Sequence, residues 1–364
     1  MRIGIEIECW LVDTDGHLRP ADEVIAACEG VDSEMVTPLL EVKTPPCDSL
    51  SELAAVLGDR LGRVREEARV RDKRLVPLGT PLSDERLPRR TSSRIDVQRA
   101  VLGDDFGHAG YCAGTHLHFE QTSVADQLRV LTALDPAFAL VNTAPYYRRR
   151  RVTACARPHA YRRLCYRSFP EYGQLWRYPE SAAEWRGRVE RRFDAFVEAA
   201  AERGIDPETV ESEFSPCDAV WAPVCLRDDL GTVEWRTPDA ASPLELCRLA
   251  ADATRIVETA VEDGTRIGDG GDDGALSLPP FERLRGHVDA AIERGLAAPR
   301  VERHLSRMGF ESEEYRPFGA EIDGRRRLDA DGARRLRRRA ADRLERDIER
   351  LRETTAPRAE LSRG

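Results

Sequence analysis

Four short segments of this chain alternate apolar side chains with carboxylates, imidazoles or a guanidinium, and that alternation limits its fold more than any other feature. Successive side chains of a strand point to opposite faces, so residues i and i+2 share one face. In residues 1–13, Glu6 and Glu8 share a face while Ile3, Ile5 and Ile7 share the other. In residues 36–44, Glu41 and Lys43 oppose Leu40 and Val42. In residues 114–120, His116, His118 and Glu120 oppose Thr115, Leu117 and Phe119. In residues 232–237, Glu234 and Arg236 oppose Val233 and Trp235. Each segment therefore offers one greasy face to a helix layer and one face of potential ligands.

A single acidic alternation such as E-x-E usually marks the solvated side of an antiparallel sheet, and H-x-H alone is as readily chance as a metal pair. Four such strands together are harder to leave to solvent. Brought into one sheet, their like charges repel unless cations bind between them. Oxygen donors with one or two imidazoles suit Mg²⁺ or Mn²⁺, and with no cysteine on the polar faces of these segments a thiolate zinc site is disfavoured. The candidate metal ligands are Glu6, Glu8, Glu41, His116, His118 and Glu234.

The rest of the chain reads as interleaved helices and strands, an α+β pattern. Ser49 with Glu52 predicts a capping box before a helix with Leu50, Leu53, Leu57, Leu61 and Val64 on one stripe. Residues 75–78 read as a short strand and 123–134 as a helix. Ser181 and Glu184 cap a further helix that ends at Gly204. Residues 220–226 and 232–237 form a hairpin pair, and Ser242-Pro243 with Glu245 opens a helix to about residue 263. The Gly- and Asp-rich stretch 264–274 reads as a flexible loop and the best boundary. It separates a domain at 1–265 from a helical region at 275–355, where Leu336, Leu344, Ile348 and Leu351 form a sparse apolar stripe. That region stands alone or packs on the first.

Composition excludes several classes. No apolar run is long enough to span a bilayer, and residues 1–20 lack a signal-peptide core, so a cytoplasmic protein is expected. The net charge is −9, and only Lys43 and Lys73 among the 56 bases are lysine. Abundant acid with almost no lysine suggests a surface adapted to concentrated salt, although a GC-rich genome also favours arginine. An acidic chain makes a poor general nucleic-acid binder. The 9 cysteines are scattered without a C-x-x-C and read as reduced thiols. Neither G-x-x-x-x-G-K-[ST] nor G-x-G-x-x-G occurs, which excludes a P-loop and leaves a site on a sheet face open.

At these residues the sequence resembles the glutamate–cysteine ligase family, in its second, shorter class of carboxylate–amine ligases. The matching stretches are GIEIECWLVD (4–13), LEVKTPP (40–46), LGTPL (78–82), GTHLHFE (114–120), ALVNTAPY (139–146), AYR (160–162) and TVEWRTPD (232–239), in family order. The length and acidic bias look like the forms found in halophiles. The resemblance implies a glutamine-synthetase-like fold, a curved antiparallel sheet with helices on one face, holding ATP and Mg²⁺ (or Mn²⁺). It implies that glutamate's γ-carboxylate is joined to cysteine through a γ-glutamyl phosphate. Glu6 and Glu8 match the paired metal carboxylates, Glu41 the next strand's ligand, His116 the metal histidine and Glu234 the carboxylate before Arg236. Glu34 sits where a further acid is sometimes found. Arg236 is the candidate for the γ-phosphate or, equally, a partner of a sheet carboxylate. Arg162 is the candidate for a substrate carboxylate, and Arg148–Arg151 an anion contact or a solvated run.

Two other readings stay open from the residues alone. The same chemistry with a different amine is one, and a divalent-metal hydrolase is the other. An Arg-rich binding module of no enzymatic function is a third class, which the net charge weighs against.

Overall fold

Alternation in the first segment yields one long strand, β1 (Ile3–Asp13), on which the remaining strands assemble. In the computed structural model, residues 1–268, 270, 274–322 and 324–355 are described. After β1 come β2 (Val31–Ser33), β3 (Leu39–Lys43), β4 (Lys73–Val76) and β5 (Thr115–Glu120). Two small strands, β6 (Tyr146–Tyr147) and β7 (Arg150–Arg151), pair with each other apart from the main sheet. The sheet is completed by β8 (Val224–Arg227) and β9 (Thr232–Trp235), in the order β2-β3-β1-β5-β9-β8 with β4 also on β1. All pairings within it are antiparallel.

One face of that sheet is the core. Ile3, Ile5, Ile7, Leu40, Val42, Leu117, Phe119, Val233 and Trp235 are buried in a single hydrophobic cluster. The helix Leu50–Arg69 contributes Leu53, Leu57, Leu61 and Val64 to it, while Leu50 at its start stays exposed. Burying each of these side chains is worth roughly 1.5–3 kcal/mol. Ser49 caps that helix as expected, its hydroxyl accepting from the Glu52 amide at 3.1 Å. Ser181 does the same for the helix Ala182–Ala201, which ends before Gly204. The hairpin expected at 220–237 is β8 and β9.

Two expectations give way to longer-range contacts. Ser242 precedes the helix Pro243–Asp263 but makes no side-chain cap. Its hydroxyl donates instead to Asp347 of the C-terminal helix Ala330–Thr355, and Glu245 accepts from Arg343 at 3.2 Å. A tertiary carboxylate has won over the local amide. The stretch 264–274 begins in a strand, since Thr265–Ile267 pairs with Leu276–Leu278. Residues 269 and 271–273 of that loop lie outside the described residues.

The helix Ala330–Thr355 lies on the helix Leu50–Arg69 and on β4. Leu336, Leu344, Ile348 and Leu351 are all buried, the first three in the same cluster as Ile3. The two helices come close because Gly58 and Gly62 lack side chains; a Cβ at Gly62 would lie 2.8 Å from the Arg352 guanidinium. Arg74 of β4 ties down the same helix through Asp342 (2.7 Å) and Glu345 (2.8 Å). No helix among the described residues is long and apolar enough to cross a membrane.

Candidate metal and active site

Strand register brings the polar side chains of the four segments together. Glu6 lies directly opposite His116, and Glu8 opposite Glu41. His118 lies opposite Glu234, and Glu6 is also opposite Lys43. Directly opposed residues project to the same face, so all of these share one side of the sheet. All of them except Glu8 line a cavity of about 560 Å³ whose wall also holds Glu34, Arg94, Asp218, Arg227 and Arg236.

The distances within it are short. His116 Nδ1 is 3.1 Å from Glu6, 3.2 Å from Glu234 and 3.9 Å from Glu41. His118 Nε2 lies 3.6 Å from Glu6 and 3.9 Å from Glu234. Three triplets have donor atoms within 4.8 Å of one another: Glu6–His118–Glu234, Glu6–Glu41–His116 and Glu8–Glu34–Glu41. Glu8 is partly spoken for, because one of its oxygens accepts from the Gly114 amide at 2.7 Å. Glu34, reached from the loop before β3, joins the group although no alternation in the sequence pointed to it.

Electrostatics show that these carboxylates are crowded. Burial and the charges of Glu34 and Glu6 push the Glu41 carboxyl well above its usual range. Burial and Glu8 push Glu34 up to about 8. Burial would also raise Glu6, but His116 and His118 more than offset it and hold Glu6 well below the carboxylate range. Glu234 is lowered in the same way, with Arg236 and the two histidines overcoming its burial. His118 is raised, since Glu234 and Glu6 outweigh its desolvation. Lys43 supplies positive charge at one end, 2.8 Å from Glu41, 3.2 Å from Asp32 and 3.6 Å from Glu6.

Divalent cations fit this donor set. Glu234 Oε2 and His118 Nε2 are buried without a hydrogen-bond partner among the described residues, and both belong to one of the triplets. A buried donor or acceptor left unpaired is costly, and a cation bound to both would satisfy them. The triplets contain only Glu and His. A thiol nevertheless stands close, since Cys225 lies opposite Glu234. The nearby Cys217 thiol donates to the Leu226 carbonyl at 2.9 Å, and all nine cysteines are free.

Arg236 is half-buried with its Nε 3.2 Å from Glu234, and its buried Nη1 has no hydrogen-bond partner among the described residues. The reading of this residue as the partner of a sheet carboxylate is thus met. Its backbone is held by Arg157, a residue that sequence reasoning passed over. The Arg157 guanidinium donates to the carbonyls of Arg236 (3.1 Å), Thr237 (2.9 Å) and Pro238 (3.2 Å). It fits only because residue 114 is glycine: a Cβ there would lie 1.9 Å from the guanidinium.

Arg162 does not join this group. It is buried on the helix Ala156–Arg163, with Nη2 2.5 Å from Asp135, and it lines a different cavity. Its charge is already matched in the interior by a carboxylate 27 residues away, which the short motif around it could not reveal. The run Arg148–Arg151 forms the turn and second strand of the β6–β7 hairpin, with Arg149 paired to Asp84. None of the four lines the sheet cavity.

The sequence profile of glutamate–cysteine ligase family 2 matches residues 2–362. The chain belongs to that family. It is a ligase. Two proteins of Rubrobacter xylanophilus are similar in sequence. "Putative glutamate--cysteine ligase 2-3" is 29% identical over 279 residues, covering 70% of this chain and 70% of that protein. "Putative glutamate--cysteine ligase 2-1" is 25% identical over 280 residues, covering 72% and 67%. Among solved structures, the glutamate–cysteine ligase of Francisella tularensis in complex with AMP superposes with a TM-score of 0.51 at 14% identity. The match spans 98% of this chain and 90% of that one, and it shows a shared fold.

Proposed function

We propose that this ligase joins the γ-carboxylate of glutamate to the amine of cysteine at the expense of ATP, through a γ-glutamyl phosphate, on the polar face of the sheet. The observation that carries the reading is the convergence of Glu6, Glu41, His116, His118 and Glu234 in one cavity, in a chain that matches its family over residues 2–362. The AMP held by the Francisella ligase, which shares the fold, supports a nucleotide as co-substrate.

An ionised carboxylate is a poor acylating agent and must first be activated. A γ-carboxylate oxygen attacks the γ-phosphorus of ATP, the bond to the ADP oxygen breaks, and ADP leaves. The amine nitrogen then attacks the acyl carbon, the bond to the phosphate oxygen breaks, phosphate leaves and the nitrogen loses a proton. Divalent cations, held by Glu6, Glu41, His116, His118 and Glu234 with Glu8 and Glu34 beside them, would neutralise phosphate oxygens. Arg236, held in place by Glu234 and by Arg157 behind it, would offer its Nη1 to the transferring phosphoryl group. Lys43 offsets part of the repulsion among the carboxylates at the β3 end. No protein nucleophile is required.

The test is ADP release across a panel of amino acids with glutamate fixed. Cysteine should give the largest rate, and Mg²⁺ or Mn²⁺ should be required. A larger response to another amine would reject cysteine and keep the ligase. Turnover without ATP would replace the ligase reading with a metal hydrolase.

A further inference from the structure

A second cavity, larger than the sheet cleft and sharing none of its lining, lies between the helices Ala156–Arg163, Ala182–Ala201 and Phe281–Arg294. Its volume is about 910 Å³. Seven arginines line it against two acids, Glu171 and Asp289, in a chain whose net charge is −9. Arginines so placed usually form a structural ion-pair network, and most of these do pair. Arg163 reaches Asp289 at 2.8 Å, Arg192 reaches Glu171 at 2.8 Å, and Arg177 and Arg285 share Glu282. Arg188 pairs with Glu184 and Arg162 with Asp135. A network alone does not close the balance, however, because among the described residues the seven guanidinium groups meet only five carboxylates.

The surplus is localised. Arg191 has no ion pair among the described residues. Arg192 and Arg162 each bury an Nε that has no hydrogen-bond partner. Burial, with Arg188 and Arg191 beside it, holds the Arg192 guanidinium below its ordinary range despite Glu171. Like charges held together in a concave, partly desolvated place are what an anion relieves. The aromatic walls serve to fix the guanidinium planes. Arg192 lies 4.2 Å over the Trp176 ring and Arg177 5.1 Å over Phe281, so those ring faces are already taken. A ligand here is selected by charged oxygens and not by a stacked base, and planar guanidinium forks grip carboxylate and phosphate oxygens in pairs.

We propose that this arginine-lined cavity binds a small multivalent oxyanion, bearing phosphate or carboxylate groups, at a site separate from the sheet cleft. Arg191 and Arg192 are its principal contacts, with Arg285 at the rim.

The experiment is calorimetric titration of the full chain, free of divalent cations, with inorganic pyrophosphate and, separately, with citrate. Wild type and Arg236→Gln, altered only in the cleft, should bind with similar affinity. Arg191→Glu, at an exposed position that leaves the core intact, should weaken binding at least tenfold, and Arg285→Glu should weaken it as well. Binding of pyrophosphate alone assigns the site to phosphate groups, binding of citrate alone to carboxylates, and binding of both to either. The proposal is overturned if neither probe binds wild type, if both charge reversals bind as wild type does, or if binding is lost only in Arg236→Gln.

Discussion

The two faces of β1 are made by one backbone and ask opposite things of it. On one side Ile3, Ile5 and Ile7 are packed against the helix Leu50–Arg69 and are 0–2% exposed. On the other, Glu6 and Glu8 stand among Glu41, Glu234 and two histidines, with a carboxyl driven up in one place and down in another. The apolar face is at rest as it stands. The polar face is a frustrated arrangement, tolerated because the opposite face supplies the stability. Like charges crowded in this way are what a bound cation would relieve.

The largest expected effect separates the faces by activity. Glu41→Ala and Glu234→Ala should each lower Mg²⁺-dependent ADP release by about 10³-fold, the several kcal/mol that metal and electrostatic stabilisation supply, with the thermal midpoint little changed. Near-normal turnover in either variant would remove the metal assignment. On the other face, Ile5→Ala should cost about 4 kcal/mol in denaturant unfolding while the Mg²⁺ dependence of the folded fraction stays as in wild type. A loss below about 1 kcal/mol would mean that the apolar face is not the foundation described here.

Histidines extend the comparison. His118, among carboxylates, is raised. His304, on the helix Pro299–Met308, donates from Nε2 to the Ala133 carbonyl at 2.8 Å, and burial pushes it down to about 4. The fold holds His304 neutral while the unfolded chain takes up a proton near pH 6.5, so the unfolded state binds more protons between these values. Stability is therefore full above pH 6.5 and lost as pH falls from 6.5 towards 4, by an amount on the order of 3 kcal/mol. In His304→Gln the fall of the thermal midpoint over that range should be shallower; an unchanged slope would assign it to other groups. The smallest effect runs against intuition. Without divalent cations, Glu41→Gln should raise stability by roughly 1 kcal/mol, because it removes a buried like charge. A lower thermal midpoint would show that the Glu41–Lys43 pair outweighs the crowding.

The site was more legible in the sequence than the fold around it. Period-two alternation is local, so it identified which side chains of each strand share a face, and Glu6, Glu41, His116 and Glu234 followed. Register was not legible, since the pairing of Glu6 with His116 joins segments 110 residues apart. The same blindness explains the misses. Ser242 had the sequence of a cap, but its partner is Asp347, 105 residues on. Arg162 had the charge for a substrate carboxylate, but Asp135 already holds it. Glu34 and Arg157 sit on no alternating strand, and only the folded chain shows what they touch.

The most direct measurement is an anomalous difference map from crystals of the chain grown with Mn²⁺ and a non-hydrolysable ATP analogue. The account requires peaks on the polar sheet face, within roughly 2–2.5 Å of Glu6, Glu41 and His116 and of the Glu234 and His118 atoms that now lack partners. A map with no peak in that cavity, or with metal bound only elsewhere on the surface, would contradict it.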